Sequence, residues 1–236
     1  ELIELRLALV NNLVPFNPLN LGQGVNGTYT EHSPGLTADE QILYFTRRYP
    51  TKRKGPGSSK FDEDLHMSYL QPDGTWGTAI DLGDDINTSY REGAGCVSPD
   101  GKYLFFTSCD RPNAEGSCDL YIAFKQGDKW VKPRNLGSTV NTRFWESHPS
   151  FSSDGRTLFF VSNRAGKGDR EIWMTRIDNN SRWTEPVNIS INTNGSDQSP
   201  FIHPDGKTLY FASDGIPGIG KHDLFKTELL DDKGNC

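Results

Sequence analysis

The stretch SPDGKYLFFTS, residues 98–108, decides the fold, because it keeps coming back. It returns as SSDGRTLFFVS at 152–162 and HPDGKTLYFAS at 203–213, with a weaker copy, TADEQILYFTR, at 37–47. Each copy is a turn followed by an apolar run. Asp-Gly between two strand-like runs marks a hairpin, since glycine reaches positive φ without steric cost. The turn aspartates Asp39, Asp100, Asp154 and Asp205 stand 61, 54 and 51 residues apart. Repetition on this scale is the mark of an array of similar supersecondary units.

Other positions hold the same register. The apolar runs are Leu43–Phe45, Leu104–Phe106, Leu158–Phe160 and Leu209–Phe211. After a loop, an acid opens a further short strand at Asp64, Asp119, Glu171 and Asp223. A tryptophan follows at Trp76, Trp130 and Trp183, then an asparagine at Asn87, Asn141 and Asn192. Each unit therefore reads as four strands, A before the turn, B after it, C after the loop and D from the tryptophan. Four short strands every ~50 residues predict an all-β fold, a β-propeller of four-stranded antiparallel blades.

The fourth unit lacks a D strand, and the missing piece lies at the other end. FNPLNLGQGVN (16–26) matches KPRNLGSTVN (132–141), with Pro15-Phe16 in the place of the tryptophan. Four D segments and four A–B–C sets then predict a four-bladed propeller closed by its N-terminal strand. A larger propeller, with blades supplied elsewhere, is the competing reading. Residues 15–229 make up the propeller and 230–236 a tail towards a following domain. Residues 1–14 form a helical lead-in from an upstream module, with Leu2, Leu5 and Leu9 on one face; an extra edge strand is the alternative. A start at Glu1, without Met, reads as a piece of something longer.

The composition narrows the partners. Of 236 residues, 34% are hydrophobic and the net charge is -6, which gives no basic footprint for nucleic acid. No apolar run approaches the ~18–20 residues that span a bilayer. Of the four cysteines, Cys109 and Cys118 flank a short loop that can fold back to a disulfide, which implies an oxidising compartment; two free thiols are the alternative.

With these residues laid out, a resemblance is visible. ESHPSFSSDGRTLFFVSNRAGKGDREIW (146–173), the W..P.NLG..VN linkage and VPFNPLNLG (14–22) resemble TolB-type, WD40-like propeller repeats. More narrowly, they resemble the repeats of OmpA-family envelope proteins of Bacteroidota, a family with a component in the type IX secretion system. The resemblance implies a periplasmic location at the inner face of the outer membrane and a non-catalytic scaffold. Its partners are periplasmic or outer-membrane proteins of the same assembly. Peptidoglycan is reached only through a domain outside this chain.

Counting back eight residues from each turn aspartate gives Glu31, Glu92, Glu146 and Asp197. In a propeller these four acids converge near the mouth of the central channel, where they repel one another unless a cation or hydrogen-bond donors offset them. Ca²⁺ suits such an oxygen ring, and some TolB-type propellers hold an ion there. The competing reading is that each acid accepts backbone N–H groups within its own blade. No cofactor is required. His32 and His148 fall at adjacent offsets and are candidates for the same mouth. The B–C loops form a cationic face of partner-binding candidates: Arg47, Arg48, Lys52, Arg53, Lys54, Lys60, Arg111, Arg164, Lys221 and His222. The long 47–63 loop is either a solvated loop or a docking arm for an acidic partner.

The sequence carries no G-x-S-x-G and no H-E-x-x-H, and its distinctive carboxylates repeat fourfold, whereas a glycosidase places one or two uniquely. The expectation is therefore a protein that is not an enzyme, a protein-interaction module. A glycan- or peptide-binding propeller with a channel-mouth site is the alternative.

Overall fold

The repeating unit folds as its residue pattern dictates. The structure, a computed structural model, describes residues 2–11, 17–50, 60–231 and 233–236. Blade 1 comprises β1 (Thr30–Leu36), β2 (Ile42–Pro50), β3 (Phe61–Tyr69) and β4 (Ile80–Asp81). Blade 2 comprises β5 (Arg91–Val97), β6 (Tyr103–Cys109), β7 (Cys118–Gln126) and β8 (Lys129–Asn135). Blade 3 comprises β9 (Glu146–Phe151), β10 (Thr157–Ser162), β11 (Glu171–Arg176) and β12 (Val187–Asn188). Blade 4 comprises β13 (Asp197–Ile202), β14 (Thr208–Ser213) and β15 (Asp223–Glu228). Within each blade the strands pair antiparallel in sequence order. The fold is an all-β, four-bladed propeller.

The turns work as the repeated phrase predicts. Asp100 accepts from Ser98 Oγ (2.6 Å) and the Lys102 N–H (3.2 Å), and Gly101, Gly155 and Gly206 sit at φ of 69, 68 and 71°. In the weaker copy Glu40 holds the same conformation, at φ 58°, without glycine's freedom; that costs roughly 1–2 kcal/mol.

The blades stack in one sense. Tyr44, Leu65 and Met67 on the forward face of blade 1 pack against Leu104, Phe106 and Tyr121 on the back of blade 2. Phe105, Leu120 and Val140 meet Leu158 and Phe160 of blade 3 in the same way. Phe159, Val161 and Ile172 meet Ile202, Leu209 and Phe211 of blade 4. Alternating apolar residues thus fill both faces of blades 2 and 3, and the core is a series of thin slabs between blades.

The recurring asparagines have a structural task. The Asn141 side chain accepts the Leu120 N–H (2.8 Å) and donates to its carbonyl (2.9 Å). Asn87 does the same for Leu65 (2.8 and 2.8 Å), and Asn192 for Ile172 (2.8 and 2.7 Å). A carboxamide stands in for one rung of strand pairing and satisfies two buried backbone groups, each costing ~1–3 kcal/mol if left unpaired.

The N-terminal segment departs from its expected place. Residues 17–22 lie in no strand, and among the described residues β15 pairs only with β14. The fourth carboxamide, Asn26, accepts the N–H of Leu21 instead (3.1 Å) and so closes a local turn. Val25 is buried against Leu43 and Phe45 beside Trp76 and Ala79, and the Gly24 carbonyl accepts the Ala79 N–H (2.8 Å). The segment is held by blade 1, not by blade 4. Pro15 and Phe16 lie outside the described residues. Leu224, whose counterparts Leu65, Leu120 and Ile172 are fully buried, is 84% exposed.

A ten-residue helix, α1 (Leu2–Asn11), precedes the sheets. Arg6 Nε donates to the Gly218 carbonyl (3.1 Å), which sets the helix against the loop between β14 and β15. The side chains of Leu2, Leu5 and Leu9 lie outside the described residues.

Cys109 and Cys118 face each other across β6 and β7 and are joined by a disulfide; Cys96 and Cys236 are free. Burial pushes the Cys96 thiol up to about 12, which keeps it unreactive. Replacing Cys109 and Cys118 together by serine is expected to cost roughly 2–3 kcal/mol. Urea unfolding with and without reductant measures it; a midpoint indifferent to both changes contradicts the account.

Candidate functional site

The four acids that open the inner strands are each absorbed into a clamp of their own blade. Glu146 is fully buried. It accepts the Thr142 N–H (2.8 Å) and hydroxyl (2.7 Å), the Ser162 hydroxyl (2.7 Å) and Arg164 Nη2 (3.3 Å). Glu92 repeats the set with Thr88 (2.9 and 2.8 Å), Ser108 (2.8 Å) and Arg111 (3.0 Å). Glu31 accepts the Gly27 N–H (3.3 Å) and Arg47 Nε (2.9 Å). Asp197 accepts the Thr193 N–H (2.6 Å) and hydroxyl (3.0 Å).

These geometries separate the four carboxylates instead of gathering them into one ring. Among the described residues no three His, Cys, Asp or Glu side chains come together as a metal-binding group. The repulsion expected between the acids is offset within each blade. The carboxylates of blades 2, 3 and 4 aim at a threonine N–H in the connection from the preceding blade and that of blade 1 at the Gly27 N–H, and in blades 1, 2 and 3 a guanidinium supplies the charge.

The arginines also differ from their expected role. Arg111 and Arg164 were candidates for a partner-binding face, yet they lie nearly buried, with side chains 10% and 11% exposed. Each donates backwards to the connection from the preceding blade, Arg111 to the Ile86 carbonyl (2.9 Å) and Arg164 to that of Val140 (2.5 Å). Each also lies over two rings, Arg164 over Phe160 (5.2 Å) and Trp173 (5.0 Å). Burial pulls the Arg164 guanidinium below its usual range while Glu146 pulls it back. Arg47 likewise reaches the Val25 carbonyl (2.9 Å). Arg48, Lys60, Lys221 and His222 remain near the surface; Arg48 covers Phe61 (4.3 Å) and His222 faces Asp214 (3.6 Å). Lys52, Arg53 and Lys54 lie outside the described residues.

The inner strands carry a shared irregularity. Ser33, Ala94, His148 and Ser199 occupy equivalent bulges with φ of 50, 47, 51 and 54°. Together with their neighbours they line a central cavity of about 910 Å³, which includes His32, Cys96, His148 and His203. His32 faces Glu63 (3.6 Å). Burial, with Arg170 nearby, depresses His148 to about 4, so this imidazole is neutral near physiological pH, and among the described residues its Nδ1 has no hydrogen-bond partner.

The second repeated acid set closes the B–C loops. Asp119 accepts the Glu115 and Gly116 N–H groups (2.7 and 3.1 Å) and Asn135 Nδ2 (2.6 Å). Glu171 accepts from Lys167, Gly168 and Asn188. Blade 1 breaks the pattern: Asp81 stands where Asn135 and Asn188 stand, so the donor becomes a second carboxylate. Asp64 keeps the Tyr49 hydroxyl, but among the described residues its Oδ1 has no partner. Burial, then Glu92 and Asp81, push Asp64 up to about 7 from an ordinary 3.8. The folded protein therefore holds a proton there that the unfolded chain releases near pH 4, and stability drains away as pH rises through that interval. Asp64→Asn is expected to raise Tm at pH 8 and to change it little at pH 4. Equal effects at both pH values contradict this.

No family model and no curated protein matches the chain. Its likeness is to solved structures. TolB from Acinetobacter baumannii superposes with a TM-score of 0.54 at 17% identity, over 85% of this chain and 41% of that one. A levansucrase of B. megaterium gives 0.54 at 13% identity, covering 88% of this chain and 68% of that one. An exo-1,5-α-L-arabinanase from a bovine ruminal metagenomic library gives 0.52 at 15% identity, covering 92% and 81%. The chain spans under half the length of that TolB. The expectation that this protein is not an enzyme is corrected by these likenesses: the fold is shared with an arabinanase and a levansucrase, so fold and repetition do not decide against catalysis. What the likenesses establish is the fold, a β-propeller.

Proposed function

We propose that this chain is the protein-interaction propeller of a periplasmic, outer-membrane-associated assembly, and that the assembly is a type IX secretion system with a PorE-like subunit. One observation carries the interaction reading. The forward face of blade 4 presents Leu224, Phe201 and Tyr210, 84%, 51% and 39% exposed, at a position where every other blade packs against its neighbour. Exposed apolar surface at a defined place marks an interaction site. The disulfide suits an oxidising compartment. The compartment and the assembly rest on the resemblance of the repeats to OmpA-family envelope proteins. Peptidoglycan contact belongs to a domain outside this chain.

A second reading is favoured by the central cavity, whose size fits a small ligand: recognition of a glycan or peptide between the bulged strands. A photo-cross-linking residue placed at position 224, and another at position 32, separates the two in cells. Cross-links from 224 to an outer-membrane-fraction protein support the assembly. Cross-links from 32 alone support the ligand reading, and none from either overturns both.

A further inference from the structure

We propose that blade 4 carries a binding site for a guanidinium group, that of an arginine side chain on a partner polypeptide, built on the buried carboxylate of Asp197. The inference rests on comparing the four blades and does not depend on the compartment or the assembly.

In blades 1, 2 and 3 the acid at the start of the inner strand is neutralised by an arginine, at 2.9, 3.0 and 3.3 Å. The arginines do not all come from one position. Arg111 and Arg164 lie beyond the end of strand B. Arg47 lies in β2, directly opposite Glu31. What recurs is the cation, which offsets the charge of a carboxylate held away from water.

Blade 4 has every part of this receptor except the cation. Asp197 is 0% exposed, and among the described residues its Oδ1 has no hydrogen-bond partner. Ser213 stands opposite Asp197, as Ser162 stands opposite Glu146. Phe211 and Phe225 occupy the places of Phe160 and Trp173, the two rings that flank Arg164, and lie 5.9 Å apart. Ile191 precedes Asn192 as Val140 precedes Asn141, and among the described residues its carbonyl accepts no hydrogen bond. The connection before it is two residues shorter than its counterpart.

The position of Arg164 is held by Gly215. Both donate their N–H to the strand-B serine, at 3.0 Å for Arg164 and 3.1 Å for Gly215. Gly215 lies directly on Thr193, so that a Cβ there would run into the threonine side chain. The glycine thus sits on the threonine that caps Asp197, and in the proposed bound state it moves away from Thr193. The loop that follows, Ile216-Pro217-Gly218-Ile219-Gly220, is rich in glycine. Asp197 is also one methylene shorter than the glutamates of the other blades. An internal arginine at position 215 would meet the Thr193 side chain at its own Cβ, whereas a guanidinium from outside carries no such tether. Asp214 stands beside the same connection, taking the Ser196 N–H (2.6 Å), and favours a cation.

The probe is N-acetyl-L-argininamide, titrated into isotope-labelled protein and followed by NMR. N-acetyl-L-lysinamide and N-acetyl-L-citrullinamide are the controls; the latter keeps the planar shape without the charge. Saturable shifts are expected at the Thr193 and Gly215 amides and at the Asp197 carboxyl carbon, with the lysine and citrulline compounds at least about tenfold weaker. Asp197→Asn is expected to abolish them. If that variant does not fold, the carboxyl-carbon shift in the unmodified protein decides alone. Shifts confined to other blades, equal responses to the three compounds, or none at tens of millimolar overturn the proposal.

Discussion

Arg164→Ala is expected to destabilise the propeller by about 3–5 kcal/mol, because it strands a buried carboxylate. Glu146 has no exposure and keeps only the Thr142 and Ser162 donors once the guanidinium is gone. The lost cation also uncovers Phe160 and Trp173 and leaves the Val140 carbonyl without its donor. Adding Glu146→Gln to the alanine variant should recover part of the loss, since the amide oxygen still accepts from Thr142 while the buried charge is removed. Urea denaturation of the two variants and Glu146→Gln alone completes the comparison. A loss under ~1 kcal/mol for Arg164→Ala would show an ordinary surface pair.

The second large effect is a contrast between two leucines at equivalent positions. Leu120 sits fully buried between blades 2 and 3, and its truncation to alanine should cost about 2–5 kcal/mol. Leu224→Ala should change stability by no more than ~0.5 kcal/mol, as for exposed sites away from packing. Matching losses at both positions would place a blade or strand over Leu224 in solution and contradict the open face.

Much of this architecture was legible in the sequence, for a physical reason. Turn chemistry and strand alternation are local, and Asp-Gly followed by an apolar triplet states both. The acids were legible in position, since they keep a fixed distance from the turn, and one of the two readings of them, backbone N–H acceptance within each blade, is the geometry found. Their arginines were not legible as partners. Arg47, Arg111 and Arg164 sit at different offsets from their turns, so no register flags them, and a loop arginine reads as surface charge until its guanidinium is seen against an acid. A signal was nonetheless present: each blade with a glutamate also has an arginine near the end of strand B, and the blade with Asp197 has none. The N-terminal segment misled in a different way. The match of residues 20–26 to 135–141 states what the segment is able to pair with. It does not state which of two acceptable partners it takes, and the Asn26 carboxamide serves a turn at Leu21 as readily as a distant strand.

The one-way stacking of the sheets also governs how the molecule comes apart. A slab buried on both sides is held by two interfaces and a terminal slab by one, which makes such arrays behave as nearest-neighbour chains that fray from an end. Amide exchange should accordingly be fastest along Asp223–Glu228 and slowest in Tyr103–Cys109 and Thr157–Ser162, whose side chains are walled in by both neighbours. Whatever settles on the loose end then acts as a lid on unravelling, and its departure would be felt first as a softening of the last hairpin.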